Sequence, residues 1–391
     1  MPIVRASLKE LSPERAVSIS FLEDYGVKTP IKRALFLGKC AIPLYKSFSK
    51  NFPDIYSFVY STKPPQKISA EKTIVRFGTH PFPSLQNLEI SNELRLWLKR
   101  SKGAAAVFVS GGSSSLLFLP ENRRYTEELI EFEKEILSKK IPIKELNFVR
   151  MALSQLRGGG VAEILKPSKY FGFVWCDMGE KDYKFVGSAP LGGMDFDLKK
   201  EAENIIKKYK IKISFKIGRK KMKALPEGCS LFKLADGMKL CQLAKKKIEE
   251  AGIKSEIIKI REGTSSHNAA EIIYSESEKI RKPAVLIGNG EFLENVEKGR
   301  KGGRCSHLAA NVAKYFCNKK GWFFAALATD GVDGSGDGGA FIHSEAEVDL
   351  NEVEEAIAGF NTGLYFRRKG LFFERKPTRN NLRDLWVLTL E

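Results

Sequence analysis

The stretch "ATDGVDGSGDGGAF", Ala328 to Phe341, holds three aspartates and five glycines in fourteen residues. Carboxylates at that density can hold a hard divalent cation or take a proton from a hydroxyl. Glycines let backbone N–H groups come close to a phosphate. Asp330, Gly331 and Asp333 are therefore candidates for binding a nucleotide cofactor, with Asp330 also a metal ligand. A calcium loop is excluded, because the twelfth position from Asp330, where a bidentate glutamate belongs, is Phe341. "SGGSSS" at 110–115 offers backbone amides and hydroxyls from Ser110, Gly111, Gly112, Ser113 and Ser114 for a phosphate or substrate. "GNGE" at 288–291 supplies Gly290 and Glu291, and "GKC" at 38–40 supplies Lys39. A lysine at a helix start opposes the helix dipole, and an anionic partner relieves that misfit. A lysine bent into solvent explains it equally. "KGRKGGRCSH" sets Arg304 after Gly302 and Gly303, where a guanidinium can clamp a phosphoryl group or a carboxylate. A solvated basic turn is the plainer reading. Each glycine loop alone also reads as an ordinary turn. Neither the P-loop nor the G-x-G-x-x-G spacing occurs.

Such loops need strands to carry them. "RALFL", "DIYSFVY", "KTIVRF", "AAAVFVS" and "FGFVWCD" read as strands, and "LEISNELRLWLKRS", "ELIEFEKEILSKK" and "IKELNFVRMALSQL" as helices. "AAAVFVS" is apolar throughout, as strands buried on both faces of a parallel sheet are. "SLFKL", "KSEIIKI", "PAVLIG" and "GWFFAALATDG" repeat the style in the second half, between helices. The alternation predicts α/β architecture, with two Rossmann-like domains of mostly parallel sheet flanked by helices. The expected boundaries are 1–195 for the first domain, 196–228 for a lysine-rich crossover or linker, and 229–391 for the second. The four candidate loops then lie at the carboxyl ends of strands, where open α/β sheets bind ligands.

Bulk composition narrows the class. The chain has 391 residues, enough for two domains. Its longest apolar runs are too short to span a bilayer, and the N-terminal residues lack a signal-peptide core, so a soluble cytoplasmic protein is expected. Six cysteines without a C-x-x-C pair and four histidines without i, i+4 spacing argue against a disulfide framework and a histidine metal site. The net charge of +18 admits a nucleic-acid surface, a heat-adapted lysine- and glutamate-rich composition, or a field that draws in a small anion. The positive residues are spread widely and form no recognised nucleic-acid motif, so no nucleic-acid partner is expected.

Taken in order, the loops resemble the type-II glycerate kinase family, whose C-terminal part is the MOFRL domain. "LFLGKCA", "FGTHPFP", "VFVSGGSSSLL", "VRMALSQLRGG", "CDMGEKDYKFVGSAP", "KGGRCSHLA", "ATDGVDGSGDGGAF" and "PTRNNLRDLWVL" are similar to successive motifs of that family, from about residue 33 to the C-terminus. The resemblance implies two α/β domains with the active site in the cleft between them. It implies ATP and Mg²⁺ as cofactors, D-glycerate as acceptor and 2-phosphoglycerate as product, in central carbohydrate metabolism. It implies Lys39, Arg304 and Asp177 in catalysis, Asp177 and Asp330 at the metal, and Asn381 at the substrate. A monomer or homodimer is expected. Departures fall at Ser113, at Gly160 and at Cys305, Ser306 and His307, where the family has other residues. Some members carry the label hydroxypyruvate reductase; an NAD(P)H-dependent reductase, or a kinase for another small hydroxy acid, is the alternative reading.

Overall fold

Short apolar runs bounded by glycine or by helix-capping residues become the strands. In chain order they are β1 (Ile31–Gly38), β2 (Tyr56–Ser61), β3 (Thr73–Phe77), β4 (Ala104–Ser110), β5 (Tyr170–Trp175), β6 (Phe196–Asp197), β7 (Lys221–Met222) and β8 (Ser230–Ala235). They continue with β9 (Lys254–Ile257), β10 (Ala284–Gly290), β11 (Trp322–Ala328), β12 (Gly339–His343), β13 (Phe372–Phe373) and β14 (Asp384–Leu390). The computed structural model describes residues 1–391 except 65–67, 69, 70, 140, 180, 181, 219, 293, 295–298, 335 and 379. The chain folds as two units. One is Pro13–Asp177 with Lys181–Leu234; the other is Met1–Ser12, Met178–Glu180 and Ala235–Glu391.

The first unit is built on a sheet of order β3-β2-β1-β4-β5-β8. β1 to β5 run parallel to their neighbours. The order reverses between β1 and β4, which makes the ends of those two strands the topological switch point. Register there is fixed by aromatic side chains. Phe36, Phe108 and Phe173 are direct cross-strand partners, and their rings stack at 4.7 and 5.1 Å. Such pairs hold a register better than aliphatic ones. Two residues beyond each ring the strands reach Gly38, Ser110 and Trp175, so the loops that follow are set side by side. The helix Leu85–Arg100, capped by the Ser84 hydroxyl, buries Ile90, Leu94 and Leu98 at helical spacing.

Residues 196–228 are built into this unit rather than serving as a linker. Helix Leu198–Lys208 buries Leu198, Ala202, Ile205 and Ile206 in a cluster with Leu146 and Val149. The abundant lysines cover its other face, which is why the stretch reads as polar throughout.

The second unit has the sheet order β13-β12-β11-β14-β10-β9. Only the β9–β10 pair is parallel; β14 runs antiparallel to both β10 and β11, and β12 and β13 continue the antiparallel part. The α/β class holds for the whole chain, while mostly parallel pairing belongs to the first sheet alone. Trp322, Phe324 and Ala326 of β11 and Trp386 and Leu388 of β14 enter one core with Leu308, Ala309 and Val312 of helix Arg304–Phe316. The first residues of the chain complete this unit. Asn380 donates to the Leu11 carbonyl at 2.8 Å, and Lys247 pairs with Glu10 at 2.7 Å.

Candidate functional site

In the first unit the loops after β1 and β4 are stitched together. Gly38 has φ +99°, a conformation that glycine alone adopts at little cost. The Lys39 N–H donates to the Gly111 carbonyl at 2.9 Å. The Ser110 hydroxyl donates to Leu37 O at 2.7 Å and accepts from Cys40 N at 3.1 Å. This clasp fixes where Lys39 emerges. Its stem runs over Gly112, where a Cβ would stand 3.1 Å from Lys39 Cγ and 3.2 Å from His80 Cδ2. The Lys39 ammonium has no carboxylate partner among the described residues. The Asp177 carboxylate lies so close to Gly111 that any side chain there would overlap it. Lys39, Gly111, Gly112 and Asp177 are thus gathered at the switch point.

The serine hydroxyls do different work from the one expected. Ser110 and Ser113 are fully buried, and Ser113 Oγ donates to Ser110 O at 2.8 Å. Ser114 Oγ is 2.8 Å from Ser188 Oγ. These hydroxyls shape the loop from within, leaving the glycine backbone and the Lys39 amine as its outward chemistry. Two residues escaped the site list drawn from sequence: His80 and Arg150. Partial desolvation, followed by the nearby charges of Lys39 and Arg150, keeps the exposed His80 imidazole below its ordinary pKa and so neutral. Both were visible, in "FGTHPFP" and "VRMALSQL", but only as parts of motifs.

In the second unit Arg304 opens the helix Arg304–Phe316 at the end of the sheet. Its Nε donates to Asp384 Oδ2 at 2.9 Å and its Nη2 to Glu291 Oε1 at 3.0 Å. Asp384 is the first residue of β14 and sits opposite Gly290 and Ala328, at the carboxyl ends of β10 and β11. Burial works against the Arg304 charge, yet Asp384 and Glu291 outweigh it and hold the guanidinium above its usual value. Burial pushes the Asp384 carboxyl up to about 7, against the pull of Arg304. Two edges of the guanidinium are therefore committed, and Nη1 has no protein partner among the described residues.

The three aspartates of the glycine-rich loop have separate structural tasks. Asp333 is buried, and its two oxygens accept from Cys305 N and Ser306 N, both at 2.9 Å. It caps the helix that Arg304 begins, and Gly303 must be glycine because a Cβ would run into that carboxylate. Asp333, a candidate for the cofactor, has its carboxylate committed to this cap, so this helix N-terminus already holds an anion. Asp337 is bound through both oxygens by Arg367. Asp330 accepts from Val332 N at 3.1 Å in a local turn, next to Gly331, whose α-carbon is crowded by the Lys376 carbonyl. Asn381 is half-buried between Asn380 and Leu382, which anchor the segment to Leu11 and Thr329. The departures at 305–307 are interior residues. The Cys305 thiol is buried and pushed well above its ordinary pKa, the Ser306 hydroxyl accepts from Gly303 N at 3.0 Å, and His307 stacks on Phe360 at 4.4 Å.

Asp177 and Asp330, the expected metal ligands, belong to different units. Among the described residues no three His, Cys, Asp or Glu side chains are grouped to hold a metal. No helix among them is long and apolar enough to cross a membrane.

Comparison with known proteins finds relatives in sequence and in fold. Residues 1–220 match the domain of unknown function DUF4147, and residues 284–384 match the MOFRL family. A glycerate 2-kinase of Picrophilus torridus is 26% identical, covering 98% of this chain and 94% of that protein. A D-glycerate 2-kinase of Thermotoga maritima is 27% identical over 79% of this chain and 78% of its own length. The crystal structure of a Thermotoga maritima glycerate kinase superposes with a TM-score of 0.87 at 22% identity, over 100% of this chain and 98% of that one. With the DUF4147 model spanning more than half of its length and MOFRL following in order, this chain belongs to the glycerate 2-kinase family.

Proposed function

We propose that the chain transfers the γ-phosphoryl group of ATP to D-glycerate, giving 2-phosphoglycerate and ADP. The observation that carries this reading is the Lys39 ammonium: a cation without a carboxylate partner, fixed over a two-glycine loop at a switch point beside the Asp177 carboxylate. Phosphoryl transfer asks a protein chiefly for placement and charge neutralisation. In the proposed reaction the 2-hydroxyl oxygen of glycerate attacks the γ-phosphorus, and the bond from that phosphorus to the β-bridging oxygen breaks. The hydroxyl proton passes to Asp177. Lys39 neutralises the transferring group, and the Gly111–Gly112 backbone lets it approach. Taken by itself, the second unit offers a further cation, Arg304, whose Nη1 is left over after Asp384 and Glu291 have engaged the rest of its guanidinium. Magnesium is characteristically held by one or two carboxylates plus substrate phosphates, so an ion carried by the nucleotide would be held on the protein side by the Asp177 carboxylate and would offset phosphate charge.

The test is incubation with ATP and D-glycerate, followed by phosphorus NMR without proton decoupling. A 2-phosphate ester couples to one carbon-bound proton and gives a doublet; a 3-phosphate couples to two and gives a triplet. Absence of glycerate-dependent ADP formation would overturn the reading.

A further inference from the structure

We infer that Arg150 is the specificity-determining residue for the acceptor, seating the carboxylate of the hydroxy acid on the buried, unpartnered edge of its guanidinium next to the loop of Lys39 and His80. The inference rests on the proposed reaction for its substrate and on the following geometry for its site.

Arg150, Arg157 and Glu133 form a buried cluster with two cations and one anion. Arg150 Nε donates to Glu133 Oε2 at 3.1 Å, while Arg157 donates to the same carboxylate through both terminal nitrogens. Arg150 Nη2 is buried without a partner, and Nη1 has none among the described residues. Its terminal two-nitrogen fork is therefore unoccupied, and that fork is the shape that takes a carboxylate through two parallel hydrogen bonds. A buried guanidinium in surplus over its counter-charge is costly unless an anion completes it. Burial pulls Arg150 down to about 10, which leaves it charged at neutral pH.

Neighbouring cations do not offer the same edge. Arg157 is fully enclosed, with its terminal nitrogens on Glu133 and on the Arg150 carbonyl. The Lys220 amine is engaged by the Ser154 and Arg157 carbonyls. The helix Ile143–Ala152 that carries Arg150 also carries Asn147, whose Oδ1 accepts from Ser188 Oγ at 3.4 Å, and Ser188 Oγ in turn bonds Ser114 Oγ at 2.8 Å in the strand-end loop, where Lys39 and His80 both border Gly112. The Arg150 charge thus belongs to the strand-end loop where the proposed chemistry takes place.

The experiment compares the wild type with Arg150→Met and Arg150→Lys. Calorimetry measures binding of D-glycerate, of its neutral amide glyceramide, and of inorganic phosphate; steady-state kinetics follow D-glycerate and ATP. The wild type is expected to prefer glycerate over glyceramide by at least about tenfold. In Arg150→Met that preference should shrink to about twofold, with KM for glycerate raised about thirtyfold and KM for ATP changed less than about twofold. Arg150→Lys keeps the charge but loses the fork, and should recover only part of the preference. An unchanged preference in both variants overturns the inference and leaves Arg150 as a structural partner of Glu133. Weakened phosphate binding and a raised KM for ATP, with glycerate preference intact, overturn it in favour of a phosphate seat. Should Arg150→Met fail to fold by circular dichroism, the same readings are taken on Arg150→Lys and His80→Asn. A wild type that discriminates glycerate from its amide but transfers no phosphate would refute the proposed reaction and support the carboxylate seat.

Discussion

Single side chains at the two loop systems differ in how replaceable they are. Lys39 is half-buried, and its amine has no structural bond to lose, so Lys39→Ala should lower kcat by about a hundredfold or more while Tm moves little. Normal turnover in a folded Lys39→Ala protein would remove it from the proposed mechanism. Arg304 behaves otherwise, because Asp384 and Glu291 are bound to it. A lysine cannot reproduce two directed bonds, so Arg304→Lys should fail to restore activity and should also reduce stability, by about 1–3 kcal/mol. Recovery of most activity in Arg304→Lys would mean that charge alone is needed. Gly111→Ala should displace the Asp177 carboxylate and abolish turnover with an intact fold, as judged by circular dichroism. At this scale the sequence was informative about position and less so about partnership. Lys39 and Arg304 could be picked out from glycine context, but the carboxylate that holds Arg304 lies eighty residues away, at the start of an ordinary-looking strand. Ser113 and Asp333 look like ligand groups in one dimension; only packing shows that their polar atoms are used internally.

Helices and strands carry the next set of consequences. If Asp333 is a cap, Asp333→Asn removes a charge-assisted acceptor from the start of helix Arg304–Phe316 and should cost about 1–2 kcal/mol, read as a fall in Tm. Unchanged Tm with lost activity would instead make it a ligand. Lys220 gives a pH signature. Burial, then Arg157, lowers its folded pKa to about 7, whereas the unfolded chain keeps an ordinary lysine. Between about pH 7 and 10 the unfolded state binds the extra proton, so stability rises with pH across that window by on the order of 1 kcal/mol per unit. Below pH 7 both states are protonated and this contribution is flat. Lys220→Met should remove that slope in urea titrations run at several pH values. Most elements here were legible: the five parallel strands and the helix Gly237–Glu250 follow from apolar runs and helical spacing. Direction was not. Periodicity in "WFFAALA" or "DLWVLTL" is the same whichever way a neighbour runs, so the mixed second sheet could not be read from it. Residues 196–228 misled through lysines that line the outer face of a well-packed helix.

For the whole molecule, the charge of +18 is spread over the surface and acts at a distance. For anionic substrates kcat/KM should fall about severalfold between 50 and 500 mM salt, with kcat nearly constant, as screening shortens the field. Salt-independent kcat/KM would show that the charge has no part in capture.

The position of β14 bears on how the chain is made. Among the strands of its sheet it leaves the ribosome last, yet it lies between β10 and β11. Until it arrives, a nascent chain carries two apolar strands with unfilled edges, while β1 to β5 already have every partner they pair with in the parallel row. The opening helix Pro2–Glu10 waits longer still, since the helix it packs on, Gly237–Glu250, is translated more than two hundred residues afterwards. Vectorial synthesis therefore lets the first unit finish early and the second close only once β14 has emerged, which makes that half the one expected to need chaperone protection.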